Sequence, residues 1–303
     1  MDLTYFAQQV VNGLQLGLVY ALIALGYTMV YGIIRLINFA HGDVFMVGAF
    51  VGFFVIRGLG SSGLGGWVLI PALLLAIIVC TVLGVAIERF AYRPLRSAPR
   101  IASLITAIGV SLFLEYGTSL RFVFGPDIRI FPLPIAVTNV IHIGDLTISN
   151  IQVIVLVVTL LFLALLQYVV FRTKMGLAMR GVSYDYDTAT LMGVNVDVVV
   201  SFTFALGSAL AAVGGILYAM AYPQVQTFMG LMPGIKAFVA AVLGGIGIIP
   251  GAMLGALIMG QAEVLTAAFI STTWKDAVAF AILIIVLMIK PTGLLGKRET
   301  DKV

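Results

Sequence analysis

Charge is what this sequence has least of. Charged residues make up 10% of the 303 positions, whereas soluble domains carry about 25%. Too few ionic side chains remain to clothe a water-soluble surface, so most of the chain is expected to face lipid. Cysteine is nearly absent. The single Cys80 sits in an apolar run and excludes an intrachain disulfide or a cysteine-rich metal site. Two histidines in all leave little for a metal enzyme. No G-x-x-x-x-G-K-[ST] phosphate loop, H-E-x-x-H or G-x-S-x-G occurs, so neither ATP hydrolysis nor protease or esterase chemistry is expected of the chain. No catalytic or metal site is therefore assigned. Nor is there a dense basic face of the kind nucleic acid requires. The first residues, Met-Asp-Leu-Thr, lack the basic stretch of a signal peptide, and the first apolar block is expected to be a retained span.

What is present is oil and glycine. Hydrophobic residues are 61% of the chain and glycines number 33. Apolar blocks near 8–34, 67–87, 101–121, 150–171, 197–221 and 274–290 each approach the roughly 20 residues that cross a bilayer. A further block covers 38–57. The stretch 233–270 is too long for one crossing and breaks at GGIGIIPG, Gly244 to Gly251. The expectation is an all-α, polytopic membrane protein of about eight or nine transmembrane helices, some broken or re-entrant, forming one domain over 1–303.

Loop charge gives the orientation. Arg89, Arg93, Arg96 and Arg100 crowd one loop, Arg172, Lys174 and Arg180 another, and Lys290, Lys297, Arg298 and Lys302 the tail. All three are expected in the cytoplasm. Nine crossings then place the N-terminus outside and the C-terminus inside.

Several features could carry function. Small residues recur four apart at Gly13, Gly17 and Ala21, at Gly48 and Gly52, at Gly207, Ala211 and Gly215, and at Gly251 and Gly255. Such stripes let helix backbones approach closely, either within the chain or at a subunit seam. GGIGIIPG would expose backbone groups at membrane depth unless protein buries it or it lines a wet cavity; a simple hairpin is the alternative. Arg35 and Asp43 are expected at the cytoplasmic interface, where solvation costs little. Glu115 and Glu263 lie deeper and each needs a partner, a cavity or a proton. Lys275–Asp276 reads as an interfacial pair and His142 as a loop residue. A weak internal likeness links the segments RLINFAHGDVFMVGAFVG and VLGGIGIIPGAMLGALIMG.

The polar stretch Gly176–Asp197 predicts a short helix. Ser183 or Asp185 can cap it, Asp187 suits its first turn, and Gly193 can stop it. Tyr186, Ala189 and Met192 share a side, with Leu191 adding apolar surface. About two turns cannot persist alone in water, so the helix must dock on its own domain, on lipid or on a cytoplasmic protein.

Four blocks carry a resemblance: Asn12 to Asp43, Ile87 to Ser97, Lys236 to Glu263 and Met288 to Gly296. In this order and spacing the chain resembles the inner-membrane permeases of branched-chain amino acid ABC transporters, of the LivH type. The resemblance implies a multi-pass inner-membrane subunit, and the basic tail already puts its C-terminus in the cytoplasm. It implies a second, paralogous permease of the LivM type, two cytoplasmic ATPases of the LivG and LivF type, and a periplasmic binding protein that delivers leucine, isoleucine or valine. No cofactor is implied for this chain, since the ATPases would hydrolyse ATP with magnesium. Loop 172–196 is similar to the family's coupling segment, with Asp185, Ala189, Leu191 and Gly193 matching and Met192 alongside, while Ser183 and Tyr184 replace the usual Ala-Glu. The pathway residues expected here are Asn38, His41 and Gly42 with Gly244, Gly245, Gly247, Pro250 and Gly251, supplying backbone and small polar contacts to a zwitterionic cargo. Urea or short amides are the alternative cargo, and a self-contained secondary transporter or channel using Glu115 and Glu263 is the rival mechanism.

Overall fold

A computed structural model describes residues 3–60, 63–96, 98–143 and 146–296. Lys297, Arg298 and Lys302 of the tail lie outside the described residues. The chain is a bundle of helices: α1 (Leu3–Ile34), α2 (His41–Leu59), α3 (Leu69–Ile87), α4 (Arg100–Thr118), α5 (Asn150–Arg172), α6 (Lys174–Tyr184), α7 (Tyr186–Leu191), α8 (Val196–Ala221), α9 (Leu231–Gly244), α10 (Ile249–Phe269) and α11 (Lys275–Ile289). Every apolar block of the sequence becomes a helix. Among the described residues, seven are long and apolar enough to cross a membrane. The other two blocks are shorter: α9 has 14 residues and α11 has 15. Fourteen residues rise about 21 Å, less than the hydrocarbon thickness of about 30 Å.

The connections sort into two ends. One end holds the start of α1 and an antiparallel hairpin of β2 (Asn139–Ile143) and β3 (Leu146–Ser149). Gln8 of α1 clasps the hairpin, giving Nε2 to the Thr147 carbonyl and taking the Thr147 N–H. His142, expected in a loop, lies on β2. A second two-stranded ribbon pairs β1 (Arg129–Ile130) with β4 (Gln224–Val225). The other, basic end holds Arg35, Arg89, Arg93, Arg96, Arg172, Lys174, Arg180 and Lys290. There, Arg93 and Arg96 both grip Asp197 at the start of α8, Arg96 also grips the buried Glu88, and the Ser201 hydroxyl donates to Glu88 at 2.6 Å.

The core is α1, α2 and α8. Their span windows are 78%, 67% and 61% buried, against 22% for α5 and 28% for α4, which present apolar faces outward. Glycine sets the close packing. Gly26 lies against Gly207 where α1 crosses α8, Gly48 against Ala212 where α2 meets α8, and Gly17 against Leu257 where α1 meets α10. A Cβ at any of these would press on the facing helix. Each small-residue stripe thus serves packing within the chain.

Two units of this core are inverted copies in direction. Helix α1 runs to the basic end; after six residues the chain turns back and α2 returns. Helix α8 runs to the hairpin end; after nine residues the chain turns back and α9 returns. The two starts meet inside the bundle, where Gly42 touches Gly230 and Gly234. The sequence likeness had paired the α2 and α10 regions. The helix directions instead relate α1–α2 to α8–α9, each a long helix followed by a loop and a returning helix. Inverted units with interrupted helices are a recurring transporter plan.

Candidate functional site

The junction between α2 and α9 is the most unusual place in the bundle. Neither helix start has a side-chain cap, so their first N–H groups depend on turns and surroundings. The residues around it are held from several sides. Asn38 is buried, and the Tyr92 hydroxyl donates to its Oδ1 at 3.0 Å. His41 is buried, its ring edge-on to Tyr27 at 4.7 Å between centroids and seated where Gly26 leaves room. Tyr27 in turn meets Phe238 of α9.

Asp43 departs from expectation. It is 2% exposed rather than solvated at the interface. The cause is the re-entrant loop 35–40, which sets the start of α2 alongside the interior of α1. Arg35, at the outer edge of that loop, is exposed with a positive φ of 52°. Beside Asp43 lie Ser111 and Glu115 of α4, and Glu115 is 5% exposed. Asp43, Ser111, Glu115, Gly42, Gly230 and Gly234 line one cavity of about 180 Å³, space for about six waters.

The other expected pathway residues lie elsewhere. Gly244 to Gly251 form a tight turn at the basic end. Gly245 and Gly247 take φ of 109° and 89°, values that favour glycine. Gly244 and Gly251 pack backbone on backbone, and Pro250 sits in the first turn of α10. Gly247 rests against Gly32 of α1. The last carbonyls of α9 are satisfied by the segment after α11: Leu294 N–H donates to the Leu243 carbonyl at 2.8 Å and Leu295 N–H to that of Gly244 at 3.0 Å. The two groups of expected pathway residues thus have different neighbours, Gly42 meeting α9 at its start and Gly244–Gly251 forming the turn at its end.

Also at the basic end, Asp185 caps α7, its Oδ1 accepting the Thr188 N–H at 2.8 Å. That bond holds the Asp185 carboxyl below the usual range. Gly193 has φ 83° and ends the element. Ala189 is 7% exposed and faces its own domain, whereas Leu191 and Met192 are 86% and 80% exposed. The three-residue spacing put Ala189 and Met192 on one side; in this short helix Met192 is already past the last turn and points away. A groove of about 640 Å³ runs beside it between the end of α1, residues 95–103 and the α6–α7 junction.

One functional-looking residue escaped the sequence reading. Lys236 of α9 is buried, with Nζ 2.7 Å from Glu263 Oε1 and 2.6 Å from Asp276 Oδ1. Tyr20 adds its hydroxyl to Glu263 at 2.8 Å. Asp276 therefore serves Lys236, while Lys275 reaches Glu263 at 3.5 Å. A lone lysine within LMPGIKAFVAAV was the available signal.

A bundle of membrane-crossing helices, interrupted at a buried polar junction and inverted about it, has the architecture of a transport protein. Comparison with known proteins gives the family. The family described as "Branched-chain amino acid transport system / permease component" matches residues 9–287. The LivH permease protein of the high-affinity branched-chain amino acid transport system of Escherichia coli K12 is 46% identical, covering 99% of this chain and 98% of its own. The corresponding BraD protein of Pseudomonas aeruginosa is 43% identical over 100% and 99%. A probable LivH from Methanocaldococcus jannaschii is 27% identical over 91% and 88%. Among solved structures, PsaBC from Streptococcus pneumoniae in complex with Fab aligns over 93% of this chain and 91% of its own, at 14% identity and a TM-score of 0.48. The chain belongs to the permease components of branched-chain amino acid transport systems, multi-pass membrane proteins.

Proposed function

We propose that this chain is a membrane subunit of an ATP-driven importer that carries leucine, isoleucine and valine across a bacterial inner membrane. The carrying observation is the 46% identity to the E. coli LivH permease over nearly the whole of both chains. The whole chain acts as one transmembrane domain. It pairs with a paralogous LivM-type permease, receives cargo from a periplasmic binding protein, and is driven by LivG- and LivF-type ATPases that hydrolyse ATP with magnesium. The basic end is the cytoplasmic one, with the C-terminus there, because Lys and Arg are retained on that side.

The mechanism follows from how the ends connect. Residues 172–196 form the coupling loop, and Asp185, Ala189, Leu191, Met192 and Gly193 shape its docking element. Leu191 and Met192 supply the apolar contact and Ala189 seats α7 on its own domain. Behind α7, Asp197 at the start of α8 is tied to Arg93 and Arg96. Tyr92, from the same turn, is tied to Asn38 of the loop before α2. Motion at α7 can therefore reach the α2–α9 junction through contiguous polar contacts. Asn38, His41 and Gly42 lie where that motion would open or close a path, and the Gly244–Gly251 turn lets α9 and α10 shift together.

The test is reconstitution of the four membrane and ATPase subunits in liposomes with the binding protein. Leucine uptake should require ATP inside the ATPase-accessible compartment and should stop when either ATPase is omitted. Leucine transport by this chain alone, without ATPases, would overturn the reading in favour of a self-contained carrier.

A further inference from the structure

The cavity at the α2–α9 junction contains two carboxylates, Asp43 beside Ser111 and Glu115, each of which keeps one oxygen without a partner among the described residues. Asp43 and Glu115 are both more than nine-tenths buried. Asp43 Oδ2 and Glu115 Oε1 have no hydrogen-bond partner among the described residues, and both side chains line the same cavity of about 180 Å³. Elsewhere in the bundle the fold treats buried acids differently. Glu88 is held by Arg96 and Ser201, and Glu263 by Lys236 and Tyr20. Leaving a buried carboxylate without a counterpart costs heavily. Two such groups around one space point to something that enters it.

We propose that Asp43 and Glu115 together hold the α-ammonium group of the amino acid in transit. This rests on the import reading above and names the cargo contact within it. An ammonium carries three donors and a full positive charge, which answers the vacant oxygens of both acids. The rest of the cavity fits the rest of the molecule. The starts of α2 and α9, through Gly42 and Gly230, bring positive helix ends to the same space, where a carboxylate is favoured. Ile108, Leu112 and Leu231 supply an apolar wall for an alkyl side chain. Ile108, Leu112 and Leu231 are 45%, 47% and 47% exposed. The cavity therefore opens on the flank of this subunit, where a paralogous permease can close it.

The complete transporter with its binding protein, reconstituted in liposomes, tests this. Glu115→Gln and Asp43→Asn should each lower the initial rate of ATP-driven leucine uptake at least tenfold while the four subunits still co-purify. Glu115→Asp, which keeps the charge, should retain more uptake than Glu115→Gln. A second measurement needs no variant. A hydrophobic carbodiimide applied to the wild-type complex should modify Asp43 or Glu115, read by peptide mass spectrometry, and saturating leucine should slow that modification. Variants that assemble and transport at wild-type rates would overturn the assignment, as would carbodiimide modification that leucine leaves unchanged. Absence of ATP-driven leucine uptake by the wild-type complex would overturn the functional reading, and the cavity role with it.

Discussion

Lys236 and Glu263 form an ion pair inside the helix bundle, Nζ to Oε1 2.7 Å, with both side chains buried. The pair fastens the short α9 to α10, and the approach of Asp276 to the same ammonium brings in α11. This also bears on the two deep acids. Glu263 is committed to a lysine, whereas Glu115 keeps an unpartnered oxygen. Lys236→Met should strand Glu263 and lower stability by about 3–5 kcal/mol, the usual cost of breaking a buried pair. Adding Glu263→Met should restore most of the loss, since it removes the buried charge and leaves only Asp276, whose side chain is 38% exposed. Thermal unfolding of the purified subunit checks both, and equal melting of Lys236→Met and wild type would remove the pair as a fastener.

The glycine contact at the junction makes a second prediction. A Cβ on Gly230 would overlap the Gly42 carbonyl, and one on Gly234 would press on the Gly42 Cα at 2.9 Å. Neither contact is with a flexible side-chain tip, so α2 and α9 must part. Gly230→Ala should cut uptake at least tenfold at normal membrane levels. Gly109→Ala, at a position with open space around it, should leave uptake unchanged. Normal uptake by Gly230→Ala would mean that the close approach is dispensable.

Orientation is checked by labelling. Thr138 is exposed near the hairpin end and Thr190 is exposed on α7 at the basic end. In a Cys80→Ala background, a cysteine at Thr138 should react with a membrane-impermeant thiol reagent in intact spheroplasts. One at Thr190 should react only after the cells are opened. The reverse pattern would invert the proposed topology.

Much of this could be read from the sequence, and the exceptions share a cause. The apolar blocks became helices because a long, mostly apolar run leaves the backbone no other way to satisfy itself in lipid. Asp185, Gly193, Gly245 and Gly247 were legible because caps and left-handed turns are local events. Asp43 was not, because nothing in HGDVF states that the preceding loop folds back into the bundle. Lys236 and Glu263 lie 27 residues apart on different helices, and only packing brings them together. Ala189 shows the same limit at smaller scale. Helical spacing gives residues that share a side, but whether that side turns inward is decided by what α7 rests on.

That inward turn of Ala189 decides how the coupling helix should be tested. A bulky residue at Ala189 would disturb the seat of α7 on its own domain and would report on folding as much as on docking. The outward residues separate the two. Leu191 and Met192 are 86% and 80% exposed and touch little of this chain, so changing them should spare the fold. If α7 inserts into an ATPase groove, Leu191 is its anchor, and a charge there would be buried without a partner. Anchor residues of this kind contribute about 2 kcal/mol or more, which corresponds to about a thirtyfold loss of affinity. Leu191→Glu should therefore insert, pair with the second permease and melt like wild type, yet lose co-purification of the ATPases. Met192→Glu should do the same to a smaller degree. Stimulation of ATP hydrolysis by leucine-loaded binding protein, measured in nanodiscs, should fall in the same order. Wild-type ATPase binding and stimulation in both variants would show that α7 does not form the contact through these side chains.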